Sequence, residues 1–504
     1  MSRFSTFIFY GCLAFLAAVT SALAIEKTLR MPVISHPPAL GNPYMANGLP
    51  SALMWFALFD ALVRTNEKGE LEPALAVSWE VVEPTRWRFV LRDGVTFSNG
   101  EPFNASAAAS VLRWLGSDEG RSQLVASEVR GIASVEIIND LTIDVITTVP
   151  DAILPKRLTA VLMVAPNAWA ELGREEFAQR PSGTGPFRVT SWNKGGAAEV
   201  VANPTSWRAP KIDRILFYQI PDETALIQAL QSGQVDLTTT LSPDAARELE
   251  ARGFRTLVTP TAQVLSFAFN LAGTQVEALK DVRVRQALNL AIDRASISDV
   301  VMHGTQKPAG QPGTSITFGY DSDLAPFPYD LERAKALLAV AGYPDGFKIT
   351  AEAVVAGNAD ASLIFQLVAS GLRDIGVDVE LRAIVYSDWI RKYTSGTFES
   401  DLFSLAWNSE PYYDVIRPME YYSCAKPLPF FCHEPLMTLL HDTGSIFNED
   451  KRRSQLEALS RAYRQQAPAI FILEVSEIAV IADHVRNYRV RTRVPVYEEL
   501  DIGG

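Results

Sequence analysis

The stretch Arg92-Asp93-Gly94-Val95-Thr96-Phe97-Ser98-Asn99-Gly100-Glu101-Pro102-Phe103-Asn104-Ala105-Ser106-Ala107-Ala108-Ala109 sets two turn signals around a very short strand and then runs into an Ala-rich helix. Asp93-Gly94 and Asn99-Gly100 supply the positive φ that such turns need. The helix is expected from about Ser106 to Leu115. Immediately upstream, Trp79 to Val82 and Trp87 to Leu91 alternate as strands, joined by a turn at Glu83-Pro84-Thr85. Further back, Ile25 to Ser35 reads as a strand leading into a Pro/Gly/Asn loop, His36 to Gly48. Ser51 to Val63 carries a helical apolar pattern, and Leu71 to Ala76 a short one.

Downstream the same alternation continues. A helix capped near Asp222 is apolar at Ala225, Leu226, Ala229 and Leu230 and stops at Gly233. Ser242-Pro243 opens another that ends at Gly253. Val284, Ala287, Leu288, Ala291 and Ile292 form the core side of a helix on which Arg283 and Arg285 are expected to face solvent. Ser362 to Asp374 is amphipathic, and Val377 to Arg382 alternates as a strand. Helix then strand, repeated, is α/β organisation.

Composition bounds the answer. Arg3, the apolar run Phe7 to Val19 and Ala22-Leu23-Ala24 read as a secretory signal peptide over residues 1–24. The remaining chain, roughly 480 residues, is too long for one core. The 46 Lys and Arg against 58 Asp and Glu give a net charge of −12, and loss of Arg3 with the leader makes it −13. That balance argues against nucleic acid or anionic lipid as a partner. With Cys12 in the leader, Cys424 and Cys432 are an isolated pair, which in an oxidising compartment reads as a disulfide. His433 beside them offers a metal reading, but the spacing lacks a CxxC-type pattern. Five scattered His do not make a dedicated metal site, and no cofactor is expected.

The segment Leu402 to Cys432 carries the strongest chemistry. Leu402 to Trp407 is a buried strand by composition, and it breaks into Asn408-Ser409-Glu410-Pro411-Tyr412-Tyr413-Asp414. Trp407, Tyr412 and Tyr413 beside the carboxylates of Glu410 and Asp414, on a loop, suit a ligand with an amine or other cationic group. The same composition also fits a small aromatic cluster packed on a surface.

The run from Trp87 to Ala108 resembles the peptide/opine/nickel-binding family of bacterial extracytoplasmic solute-binding proteins, whose hallmark is R-x-G-V-x-F-x-x-G-x-P-F before an Ala-rich helix. Ser182-Gly183-Thr184-Gly185-Pro186-Phe187 is similar to the family's G-T-G-P turn, and Ile220 to Leu237 to its P-D unit. Phe267 to Asn270 with Asp281 to Leu288, and Tyr329 to Pro344, match further segments. The resemblance implies a two-lobed α/β periplasmic-binding-protein (Venus-flytrap) fold. Lobe 1 is expected over 25–263, with an inserted subdomain over roughly 50–180; lobe 2 over 264–479; and a return to lobe 1 over 480–504. The crossings are expected near Gln263 to Ser266 and Glu474 to Ala482.

By the same resemblance the chain is a binding protein, not an enzyme, that closes on its ligand and hands it to an ABC importer's permease subunits. It is expected in the periplasm as a monomer. The implied ligand is a short peptide or an opine-like amino-acid conjugate, with a nickel or metal chelate as the alternative and an exported hydrolase a distant third. The loop after Trp407 lines the cleft in relatives, and Glu410 or Asp414 matches the residue that holds a ligand amine. The carboxylate-clamping Arg of dipeptide binders is missing near Ala361. Arg121 aligns with one chelate-binding Arg of the nickel carriers and Thr159 with the other. Asn42, Tyr44 and Asn47 are candidate polar contacts from the first lobe.

Overall fold

The computed structural model describes residues 26–45, 48–239, 241–355, 359–410, 412–426 and 428–503. The segment expected to be a signal peptide, Asn47 and Pro411 lie outside the described residues. Among those described, no helix is long and apolar enough to cross a membrane.

The first lobe holds two four-stranded sheets. One orders its strands Thr28–Val33, Arg214–Gln219, Ala197–Ala202 and Phe187–Lys194, with the first pair parallel and the others antiparallel. The other is antiparallel, in the order Ala76–Glu83, Arg86–Leu91, Thr142–Thr147 and Ile132–Asn139. Helix Ala105–Leu115 follows the opening motif; the Asn104 side chain accepts from the Ala107 N–H, and Gly94 and Gly100 take positive φ. Two of the quoted motifs meet in space. Ser98 N–H donates to Gly183 O at 2.9 Å, and Asn99 N–H to Ser182 Oγ at 3.1 Å. One continuous core joins Met31, Trp55, Phe89, Phe97, Phe187 and Phe217 to the distant Val485, Tyr497 and Leu500.

The second lobe is built on a seven-stranded mixed sheet, with Leu402–Asn408 between Arg255–Phe269 and Phe347–Val354. Strand alternation splits its apolar residues between two faces. Phe267, Leu402, Ile470 and Ile472 pack on one face with the helices Val282–Leu290, Leu331–Val340 and Ala359–Arg373. Phe403, Leu405, Trp407 and Phe471 pack on the other with helices Ile416–Tyr421, Glu434–Gly444 and Glu449–Gln466.

Two long strands connect the lobes. Arg255–Phe269 pairs with Ala469–Ile481 along nearly its whole length, and the register shifts between Pro260 and Val264. Ala479 and Ile481 belong to the first lobe's core, Ile470 and Ile472 to the second's. The bulge at Thr261-Ala262-Gln263 is therefore the point at which the paired strands leave one lobe for the other.

Three local expectations differ from what forms. The helix from Ser51 ends at Leu58, because Phe59 turns extended and the chain goes on to strand Val63–Thr65. Over Leu71 to Ala76 no helix forms: Leu71–Pro73 is a strand paired with Val63–Thr65, and after a bend at Ala74-Leu75 the strand Ala76–Glu83 begins. Arg285 is 4% exposed rather than solvated: its guanidinium donates to the carbonyls of Leu279, Lys280, Gln466 and Ala467.

Candidate functional site

The strand Leu402–Asn408 delivers its loop to the junction of the two lobes. Trp407 is 1% exposed and lies in the second lobe's core, edge-on to Tyr422 and Phe471, its indole N–H donating to Ser266 Oγ at 3.1 Å. Tyr412, also fully buried, reaches across to the first lobe and donates to Glu128 Oε2 at 3.2 Å. Tyr413 adopts φ +49 and presses against Gly69 of the first lobe, where an added Cβ would lie 2.6 Å from its own.

The two carboxylates of the loop have different surroundings. Asp414 is fully buried beneath two cations, with Arg452 forking onto both oxygens at 2.7 and 2.9 Å and Lys156 of the first lobe at 3.0 Å. Burial alone would raise its pKa, but Arg452 and Lys156 overcome that and hold it well below the usual carboxylate range. Glu410 accepts from the Ala262 N–H at 3.4 Å and the Gln263 amide at 3.2 Å, so it rests on the hinge bulge itself. Arg493 approaches to 3.6 Å while forming its main pair with Glu477. Burial pushes the Glu410 carboxyl up; Arg493 offsets this and Glu477 adds to it. Asp414 thus has two cations for one carboxylate, whereas Glu410 and Glu477 share one. The second arrangement is the one that accepts another positive charge.

Around this loop the lobes are joined by an ion-pair network, buried at Arg417–Glu128 and half-buried at Arg157–Glu420. Arg417 donates to Glu128 at 2.8 Å, and Arg157 forks onto Glu420 at 2.6 and 2.9 Å while also bonding Asp151. Burial raises the Glu128 pKa, but Arg417 and Arg157 outweigh it and hold the carboxyl below its ordinary value. None of Glu128, Lys156, Arg157, Arg452, Glu477 or Arg493 carries a sequence signal of its own. Each is an isolated charge, given meaning by a partner far along the chain.

The first-lobe candidates lie apart from the loop. Tyr44 is 1% exposed, packed against Trp114 and Trp169, with its hydroxyl donating to Leu162 O. Asn42 is buried, and its side chain accepts from the Tyr44 N–H. Arg121 is exposed on the turn Gly120–Ser122, and among the described residues no hydrogen bond or ion pair joins its side chain to the 407–414 loop. Thr159 donates to Lys156 O and lines a small first-lobe cavity with Arg64, Arg491 and Thr492. Cys424 and Cys432 are bonded to one another.

Two α/β lobes hinged on a shared pair of strands, with a charged aromatic loop at their junction, define a solute-binding protein of the periplasmic type. The model of the bacterial extracellular solute-binding proteins, family 5, matches residues 70–426, and the chain belongs to that family, which comprises binding proteins rather than enzymes. It is similar to the glutathione-binding protein GsiB of Pectobacterium atrosepticum, 28% identical over 348 residues, which are 68% of this chain and 66%, just under two thirds, of that relative. Heme-binding protein A of Haemophilus influenzae is 25% identical over 448 residues, 83% of this chain and 82% of that protein. The fold matches the ABC transporter-associated periplasmic binding protein DppA of Helicobacter pylori, solved with the peptide STSA, at TM-score 0.82 and 21% identity, covering 95% of this chain and 98% of that one.

Proposed function

We propose that this chain is the substrate-binding subunit of an ABC importer, exported by its leader to the periplasm, where as a monomer it captures a short peptide or peptide-like amino-acid conjugate and presents it to the permease. Hinge closure about the Pro260–Val264 bulge brings the loop after Trp407 against the first lobe, and the closed shape is what the permease reads. The observation that carries the ligand class is Glu410, a largely buried carboxylate on the hinge that shares a single cation with Glu477. A ligand ammonium there supplies the missing positive charge and touches the hinge directly. Asp414, already saturated, has a structural role. Trp407 and Tyr412 back the loop from behind and hold its position.

The glutathione-binding relative and the peptide-bound neighbour support this reading. The heme-binding relative favours the alternative, a metal chelate carried through its organic part. Native mass spectrometry of protein purified from the periplasm without refolding tests both. A bound mass of a few hundred daltons that fragments into amino-acid pieces supports the peptide reading; a metal isotope pattern replaces it with the chelate.

A further inference from the structure

The carboxylate of Glu434 stands beside the Cys424–Cys432 bond: both Sγ atoms and a Glu434 oxygen lie within 4.8 Å of one another. Cys432 Sγ is 3.8 Å from Glu434 Oε1. Cys432 and Glu434 are exposed and Cys424 is half-buried, so the group opens to solvent. Glu434 begins the helix Glu434–Gly444, and His433 before it has its Nδ1 buried with no hydrogen-bond partner among the described residues.

The chain around the two cysteines is held by packing. Tyr422, just before them, donates to Phe269 O and stacks on Phe431, the residue preceding Cys432, at 5.9 Å and 1°. Both rings and Phe430 are buried in the second lobe's core, and Phe430 O accepts from the Leu271 N–H at 2.8 Å. Leu436 ties the helix that carries Glu434 to the same core. Breaking the sulfur bond therefore leaves two thiols and a carboxylate facing one point.

Two thiolates and a carboxylate are a donor set for a borderline-soft divalent ion and a poor one for magnesium or calcium, which take oxygen ligands. Tetrahedral zinc binds sulfur at about 2.3 Å and carboxylate oxygen at about 2.1 Å, which sets the two donors about 3.6 Å apart. The 3.8 Å between Cys432 Sγ and Glu434 Oε1 already suits it. The two sulfurs have to part to about 3.8 Å, so the site exists only in the reduced protein.

We propose that Cys424, Cys432 and Glu434 form a redox-gated zinc site, shut as a disulfide and opened by a dithiol. The dithiol's thiolate attacks the exposed Cys432 Sγ, and Cys424 leaves as a thiolate and takes up a proton. The reagent's second thiol then attacks the mixed disulfide, frees Cys432 as the second thiol and ends as a disulfide itself, so the two hydrogens it loses are those the protein gains. Zinc displaces both thiol protons, and water fills the fourth position. The 424–432 loop is clasped in either state, by a bond or by an ion. None of the three ligands belongs to the 407–414 loop, so the site stands apart from the ligand reading above.

The test uses the chain without residues 1–24, oxidised or reduced with a phosphine, titrated with zinc against a chromophoric chelator and with cobalt as a spectroscopic stand-in. The reduced protein is expected to take one zinc per chain and to show thiolate-to-cobalt charge-transfer absorption, and the oxidised protein to show none. Glu434→Gln, which keeps both cysteines, should bind zinc at least about tenfold more weakly when reduced. Zinc should raise the thermal midpoint of the reduced protein and leave that of the oxidised protein unchanged. Absence of the charge-transfer absorption in the reduced chain overturns the site, and so does an equal zinc affinity in Glu434→Gln. If reduction unfolds the chain, zinc must restore the fold, and failure to restore it overturns the site as well.

Discussion

Lys156 and Asp414, 258 positions apart in the chain, meet at 3.0 Å across the junction of the lobes, and Arg452 holds the same carboxylate from the other side. The pair fixes the loop that carries Glu410 by its far end. Asp414→Asn leaves two cations facing a neutral amide, which should cost about 3 to 5 kcal/mol of stability. Urea denaturation of the variant measures it, and a loss below about 1 kcal/mol would falsify the structural role.

Acid titration separates Asp414 from Glu410 by sign. The folded pKa of Asp414 is depressed, so its contribution is present above the unfolded value near 3.9 and is lost as pH falls from there through the lower folded value. The folded pKa of Glu410 is raised, so its contribution is full below the unfolded value near 4.3 and is lost as pH rises through the folded one. Relative to wild type, Asp414→Asn should flatten the stability–pH curve at its acid end. Glu410→Gln should change it at higher pH and in the opposite direction.

Glu410→Gln should weaken an amine-bearing peptide by about 10- to 100-fold, the worth of one charged hydrogen bond. N-acetylation of the peptide should weaken wild-type binding to a similar degree and add little on top of the variant. Calorimetric titration of the four combinations decides it; full additivity places the amine elsewhere.

Trp407→Ala should destabilise by about 3 to 5 kcal/mol, because it empties the space among Tyr422, Tyr463 and Phe471. Thermal unfolding would show it as a lowered midpoint. An unchanged midpoint would mean that the ring is not packed as described.

Arg157→Ala should bias the molecule toward an open form, since Glu420 and Asp151 lose their shared cation at the lobe junction. Small-angle scattering of the ligand-free variant is expected to give a larger radius of gyration than wild type, and equal radii would remove this pair from the closing contacts.

What could be read in advance was what the chain encodes locally. Asp222 and Ser242 cap their helices through neighbours three residues away, and Gly94 and Gly100 accept positive φ for reasons internal to their turns. Arg285 misled because helical periodicity records which side a residue faces and not that the carbonyls of Gln466 and Ala467 wait there. Leu71 to Ala76 was too short for its period to distinguish helix from strand. For the site, the aromatic and acidic character of the 407–414 loop was visible, but its division of labour was not. Whether Glu410 or Asp414 is free to take a ligand depends on Lys156, Arg452, Glu477 and Arg493, and nothing local to the loop names them.

Because Val485, Tyr497 and Leu500 lie in the same core as Met31 and Trp55, the lobe that emerges first is the one that finishes last. A chain that is threaded from its N-terminus must keep that half unsealed until residues 485–500 arrive, a long-range closure that slows folding. The first lobe's core is complete only when Val485, Tyr497 and Leu500 have packed into it.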